Sequence, residues 1–283
     1  MKSHKVKRVL ITGASGFLGK NLISSFKKEN VEITVVVRNL RFSWLKKNTI
    51  IKKIITTENI FNHDYEWWKE TLHNIDIVIH CAWFVEPGKY LNSEKNIECL
   101  NGSIPLAKAA VYNNIEKFIG IGSCFEYNLD LGTLDINSEL KPQNLYASSK
   151  VALFHILNSI FSQSQVKFAW CRLFYLFGEG ENENRLFPYV RKQLLLNKPV
   201  LLTSGNQIRD YMDVKDAAKL IINTSFSELC GPVNICSGKG ITIREFVKNI
   251  AKEFGNYELL KFGERHDNLL DPDYVVGIPT IKL

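Results

Sequence analysis

The segment Ile11-Thr12-Gly13-Ala14-Ser15-Gly16-Phe17-Leu18-Gly19 restricts this chain more than any other stretch of it. Its glycines recur every third residue between a short apolar run, Arg8 to Thr12, and an amphipathic stretch, Leu18 to Lys28. A β-branched run, Glu32 to Val37, follows. That order reads as strand, helix and second strand, the opening of a parallel sheet. Glycine at these places lets the turn close, lets backbone approach an anion and lets the helix pack on the strand. The helix N-terminus then presents free N–H groups and the positive end of its dipole, which suits a pyrophosphate. Gly13, Ser15, Gly16, Phe17, Leu18 and Gly19 are therefore expected to cradle a dinucleotide.

The alternation continues. Ile75 to His80, Lys117 to Gly122 and Lys167 to Leu173 read as buried strands, with helical stretches at Glu98 to Asn113 and Ala147 to Phe161 between them. This predicts an α/β fold, a doubly wound parallel sheet of the Rossmann type. Beyond Phe174 the pattern loosens into a polar, turn-rich segment, Gly178 to Asn184, a helical stretch, Leu186 to Leu196, and a helix over Thr242 to Phe254 capped by Thr242. Residues 1–173 are read as the dinucleotide-binding domain. Residues 174–283 are read mainly as a smaller mixed α/β substrate-binding portion, with some segments returning to the first domain. The closing stretch, Tyr274 to Leu283, lacks an amphipathic helix pattern.

With 283 residues, 45% hydrophobic and 23% charged, the chain can bury a core and is not a disordered segment. Its formal charge of +7 favours anionic partners without saying which. Short basic runs such as Lys46 to Lys53 read as solvated faces, since no basic stripe is interleaved with aromatics, and neither nucleic acid nor a membrane is expected as partner. The six cysteines form no CxxC pair and most sit in apolar runs, so buried free thiols in a reducing compartment are expected, and no metal. The N-terminal apolar run is too short for a signal peptide or a spanning helix, which points to the cytoplasm.

The end of the second strand selects the dinucleotide. NAD-type sites place a carboxylate there for the ribose hydroxyls, whereas this strand ends Val37-Arg38-Asn39 with Arg41 following. An arginine fork suits a 2′-phosphate, which favours NADP(H) and leaves NAD(H) open.

Tyr146-Ala147-Ser148-Ser149-Lys150 sets a phenol and an ammonium four residues apart, on one face of a helix. A cation held there is expected to lower the phenol's pKa and so prepare a proton donor for a carbonyl. Ser123, at the end of the preceding strand, adds a hydroxyl for the same oxygen.

With these motifs together, the chain resembles the extended short-chain dehydrogenase/reductase family of nucleotide-sugar epimerases, dehydratases and ketoreductases over nearly its whole length. The resemblance implies Ser123, Tyr146 and Lys150 as catalytic residues. It also implies further cofactor contacts from Glu58 and Asn59 near the adenine, from Cys81 and Ala82 in His80-Cys81-Ala82, and from Asn101 in Asn101-Gly102-Ser103. Arg172 to Gly178 looks like the family's RxxNxYGP stretch, with Tyr175 in place of the Asn and Glu179 in place of the Pro. Gln207 to Asp216 is similar to the RDF-V-D motif, whose arginine, here Arg209, binds the nucleotide diphosphate. Arg265 is a second candidate clamp, and Trp83, Cys124, Phe125 and Tyr175 are candidates for the sugar pocket. Family members commonly form homodimers through the helices holding Asn101 and Tyr146.

Ser123 is followed by Cys124-Phe125 rather than the Asp-Glu pair of the family's 4,6-dehydratases. Cys124 also stands one residue too early, and the loop Glu179 to Arg185 lacks the histidine, for the enzymes that both epimerise and reduce; it reads as a small buried residue. The remaining resemblance is to the 4-ketoreductases that finish nucleotide-linked deoxysugars for bacterial surface polysaccharides. It implies NADPH-dependent reduction of a 4-keto group. A 4-epimerase retaining NAD is the alternative, and a non-catalytic NADP-binding regulator a second one.

Overall fold

Along Val9, Leu10 and Ile11 successive side chains are fully buried on opposite faces of the strand: Val9 and Ile11 join one apolar cluster and Leu10 another. A strand buried on both sides needs helices above and below it. The computed structural model describes residues 6–26, 30–38, 45, 47–268 and 271–282. Its strands are β1 (Lys7–Thr12), β2 (Val31–Val37), β3 (Ile51–Thr56), β4 (Ile77–His80), β5 (Lys117–Ser123), β6 (Thr133–Leu134) and β7 (Lys167–Leu173). They continue with β8 (Tyr175–Phe177), β9 (Val200–Leu202), β10 (Ile208–Asp213), β11 (Gly231–Ile235), β12 (Gly240–Thr242), β13 (Leu260–Phe262) and β14 (Tyr274–Gly277). The helices are α1 (Phe17–Ser25), α2 (Tyr65–Thr71), α3 (Lys95–Tyr112), α4 (Leu145–Ser162), α5 (Leu186–Leu195), α6 (Val214–Phe226) and α7 (Ile243–Ala251).

Seven strands form one parallel sheet in the order β11-β7-β5-β4-β1-β2-β3. One cluster packs α1 and α6 on it through Leu22, Phe26, Ala217 and Ile221; the other packs α2, α3 and α4 on the opposite face through Trp68, Leu106, Leu153 and Phe161. The expected doubly wound Rossmann architecture is therefore present. The strand order reverses between β1 and β4, and the crevice beyond the carboxyl ends of those strands is where ligands bind in such sheets.

A second, mixed sheet runs β12-β10-β14-β6, with β8 also paired to β10. A parallel pair, β9 and β13, stands beside it. Phe246, Val247 and Ile250 of α7 meet Val190 and Leu194 of α5 in a separate small core. Thr242 caps α7, its hydroxyl accepting from the Glu245 N–H, as the sequence predicts. Asp210 ties this region together. Its buried carboxylate accepts from Ser237 N at 2.7 Å, Ser237 Oγ at 2.6 Å, Gly238 N at 2.9 Å and Gly277 N at 3.2 Å.

Some expectations change. The basic run ending at Lys53 overlaps an edge strand: Lys52 and Lys53 are exposed within β3, which pairs with β2. Cys99, Cys124, Cys171 and Cys236 are buried free thiols and Cys81 is half-buried, but Cys230 is exposed beyond α6. Among the described residues no helix is long and apolar enough to cross a membrane. Lys27, Lys28, Asn39, Arg41 and Lys46 lie outside the described residues.

Candidate active site

The glycine turn leaves β1 at the point of strand reversal. Gly13 has φ +65°, and a Cβ there would stand 2.8 Å from the Ala82 nitrogen, so the turn lies against the exit of β4. A Cβ on Gly19 would stand 2.7 Å from the Ala14 Cα, so α1 seats directly on the turn. Gly16 is the N-cap of α1, with no side-chain cap and no acidic residue in the first turn. Its first N–H groups are thus uncompensated by side chains, as an anion site requires.

Beneath this turn, Thr12, His80 and Ser103 form a buried chain. Ser103 Oγ donates to the Cys99 carbonyl at 2.6 Å, so His80 Nε2–H donates to Ser103 Oγ at 2.9 Å. His80 Nδ1 then accepts from Thr12 Oγ1 at 2.8 Å, and Thr12 Oγ1 accepts the Ala82 N–H at 3.1 Å. Burial pushes His80 down to about 3, so the ring is neutral and serves as a strut between β1, β4 and α3.

Arg38 is exposed at the end of β2, and Glu58 is exposed just past β3. Asn59 begins a short turn, its Oδ1 accepting from Phe61 N at 3.1 Å. Asn101 lies on α3, where the resemblance sets it. It is exposed on α3, while Cys99 and Ser103, one turn apart, face inward. At about 100° per residue a helix that buries Cys99 and Ser103 must turn Asn101 away. The motif's structural content lies in Gly102, where a Cβ would collide with the Phe61 backbone.

Tyr146 and Lys150 lie on the first turns of α4, which Asn144 caps by accepting from Ala147 N at 3.0 Å. Ser123 closes β5, and all three residues are buried. Lys150 Nζ donates to the Ile121 carbonyl at 2.7 Å and stands 3.6 Å over the Trp83 ring. Burial pushes this ammonium down to about 8. Tyr146 departs from expectation: its pKa is raised, by burial first and by Tyr90, whose ring meets it edge-on at 4.9 Å, against the pull of a hydrogen bond with Ser123. Lys150 points at Ile121 and Trp83, with its Nζ 5.9 Å from the Tyr146 ring centroid. Tyr146 therefore keeps its proton.

Trp83 is half-buried and its Nε1 donates to Asn96 Oδ1 at 2.8 Å. Phe125 meets Tyr175 edge-on at 6.3 Å. Cys124 belongs to a small apolar cluster with Tyr127, Leu134 and Phe174, and burial pushes its thiol up to about 12, so it packs rather than opening onto a pocket. Arg209 is almost fully buried, 5.4 Å from the Tyr175 ring centroid. Its Nη1 donates to the Ile208 carbonyl at 2.9 Å, whereas Nη2 has no hydrogen-bond partner among the described residues, the Asp271 carboxylate standing 3.5 Å away. Arg265 is exposed and rests on Tyr189 of α5, donating to its hydroxyl at 3.1 Å.

The sequence reading passed over Glu126, although Ser123-Cys124-Phe125-Glu126 has the spacing of a capping box and the structure forms one. It also passed over Tyr90, in an irregular segment with no periodic signal, and Asn96, in the first turn of α3.

A model of the NAD dependent epimerase/dehydratase family matches residues 9–224. The chain is 26% identical over 280 residues to CDP-abequose synthase of Salmonella muenchen, covering 94% of this chain and 88% of that protein. It is 22% identical over 253 residues to dTDP-6-deoxy-L-talose 4-dehydrogenase (NAD(+)) of Aggregatibacter actinomycetemcomitans, covering 87% and 90%. Among solved structures, UDP-N-acetylglucosamine 4-epimerase from Methanobrevibacter ruminantium, in complex with UDP-N-acetylmuramic acid, superposes with a TM-score of 0.82 at 22% identity over 98% of this chain and 90% of that one. At that identity the likeness is one of fold.

Proposed function

The chain belongs to the NAD dependent epimerase/dehydratase family, and from that premise we propose that it is an NADPH-dependent cytoplasmic enzyme reducing the 4-keto group of a nucleotide-linked deoxysugar. The observation that carries this reading is the grouping of buried Ser123, Tyr146 and Lys150, with Tyr146 bonded to Ser123 and Lys150 Nζ 3.6 Å over the ring of Trp83, the residue after the Ala82 against which Gly13 lies. The glycine turn suits a nicotinamide dinucleotide: a Cβ at Gly13 or Gly19 would collide with neighbouring backbone, so the turn closes tightly on β4 and α1, and the N-terminus of α1 has no side-chain cap. Such a group, when bound, supplies the hydride.

The chain's own residues do the rest. Tyr146 gives its phenolic proton, at Oη, to the oxygen of the carbonyl. A phenol that keeps its proton is suited to act as an acid, as reduction requires. Ser123 Oγ accepts the Phe125 N–H at 3.2 Å, which leaves its hydroxyl hydrogen for the same oxygen. Lys150 remains an ammonium below about pH 8 and supports the resulting phenolate. The open donor of Arg209 suits a diphosphate oxygen, and Arg38 suits a 2′-phosphate. Redox chemistry at C4 is supported by the relative named as a 4-dehydrogenase, although that name carries NAD(+), so NADPH rests on Arg38 alone.

The test is a panel of CDP-, GDP-, UDP- and dTDP-linked 4-ketosugars assayed with NADPH and NADH. Net oxidation of NADPH with one of them, lost in Tyr146→Phe, is the expected result. Protein that retains NAD through purification and interconverts sugars without consuming added cofactor would instead be a 4-epimerase.

A further inference from the structure

The carboxylate that closes the Ser123 capping box is more heavily engaged than a cap requires. Glu126 is fully buried, and its Oε1 accepts the Ser123 N–H at 2.8 Å. The same carboxylate accepts Trp170 Nε1 at 3.0 Å and Arg172 Nε at 2.7 Å. Arg172 Nη1 donates to the Tyr127 hydroxyl at 2.9 Å, which donates to Asn234 Oδ1 at 2.7 Å. Gly122 makes room for this arrangement, since a Cβ there would overlap both Glu126 Oε1 and Trp170 Nε1. A surface cap satisfies one or two N–H groups from a solvated side chain; here an ion pair is buried outright beneath the end of β5, at a desolvation cost that apolar packing would avoid.

Lys150 lies on the other side of Trp170, its Nζ 5.8 Å from that ring centroid. The titratable groups around it are Cys99 on α3, Cys81 and His80 at the end of β4, Tyr146 on its own helix, and Glu126. Burial pushes Cys99 up to about 11, Cys81 up to about 12, Tyr146 upward and His80 down to about 3, so all four are neutral near pH 7. Glu126, paired with Arg172, is the carboxylate bound to the Trp170 ring that Lys150 also approaches.

We propose that Glu126 is a positioning residue for the candidate proton-transfer centre: it holds the Ser123 backbone in place and sets a buried carboxylate on the Trp170 ring beside Lys150. This rests on the reading of Ser123, Tyr146 and Lys150 given above.

The test reads Lys150 directly, in protein carrying 13C at the lysine Cε positions, with the Lys150 signal assigned by its absence in K150M. In the wild-type chain this signal should titrate near pH 8. In E126Q its midpoint should fall by about one pH unit, and the alkaline limb of the reductase pH profile should fall with it. R172K keeps both charges; it should lower the melting temperature and leave the midpoint where it was. Should E126Q fail to fold because it strands the Arg172 guanidinium, E126Q/R172M removes the pair together, and the lowered midpoint is expected there. A midpoint unchanged on loss of the Glu126 charge, or moved as far by R172K, overturns the proposal. Activity surviving in Y146F would instead overturn the reading of the site, leaving the Lys150 titration unaffected.

Discussion

At Tyr146 two influences compete, and burial wins over the hydrogen bond with Ser123, so the phenol keeps the proton that an acid needs. Removing only its oxygen in Tyr146→Phe should lower kcat by about 10²-fold or more, with NADPH affinity by fluorescence titration changed little. The loss should be in kcat because the phenol is engaged where the proton moves. Lys150 sets the pH range. It is charged below about 8 and neutral above, so turnover that needs the ammonium should hold from neutrality to about pH 8 and decline beyond it, measured as the initial rate of NADPH oxidation. Arg209 tests substrate recognition separately from chemistry. Arg209→Lys keeps a charge but loses the fork, and should raise KM for the nucleotide sugar by about tenfold while leaving kcat within about twofold. Serine, tyrosine, lysine and arginine at these positions were legible because each motif has a fixed spacing. The direction of the Tyr146 shift was not, because burial is a property of packing.

Among the elements, β10 has an unusual burden, since it pairs with β8, β12 and β14 and holds both Arg209 and Asp210. Alternation along the strand turns the two side chains opposite ways, one toward Tyr175 and the other into the turn that joins β11 to β12. Asp210→Asn would set an amide among four donors. It should destabilise the fold by about 2–3 kcal/mol, measured by urea denaturation, because an acceptor is replaced by a group with hydrogens to place. The helix carrying Asn101 shows how element geometry sets exposure: with Cys99, Gly102, Ser103 and Leu106 turned inward, the phase of α3 leaves Asn101 exposed. The β3 edge was missed for a related reason. Its two lysines face solvent and disguise a strand that, among the described residues, pairs with β2 alone.

For the whole molecule, the arrangement places an anion cradle at the reversal of the large sheet and a buried arginine in the smaller one, and both should respond to phosphorylated ligands. A dinucleotide that binds only the folded chain should stabilise it by about 2.7 kcal/mol at a hundred times its Kd. NADPH should therefore raise the melting temperature more than NADH at equal concentration, and Arg38→Ala should remove the difference. Equal shifts from the two dinucleotides in the wild-type chain would mean that Arg38 does not read the 2′-phosphate.

By itself the sequence determined five strands of the large sheet, β1, β2, β4, β5 and β7, with α1, α3 and α4 between them, the position of the glycine turn and the short spacing of Tyr146 and Lys150. Each of those is set by local periodicity or by residue types at short, fixed separations. Only the tertiary structure decided which charges face one another. The Glu126–Arg172 pair spans the turn after β5 and the next strand but one, and the Asp210 cluster joins residues 27 and 67 positions apart. Such contacts arise when distant segments are brought together in low dielectric, where desolvation fixes the protonation of Tyr146, Lys150 and His80.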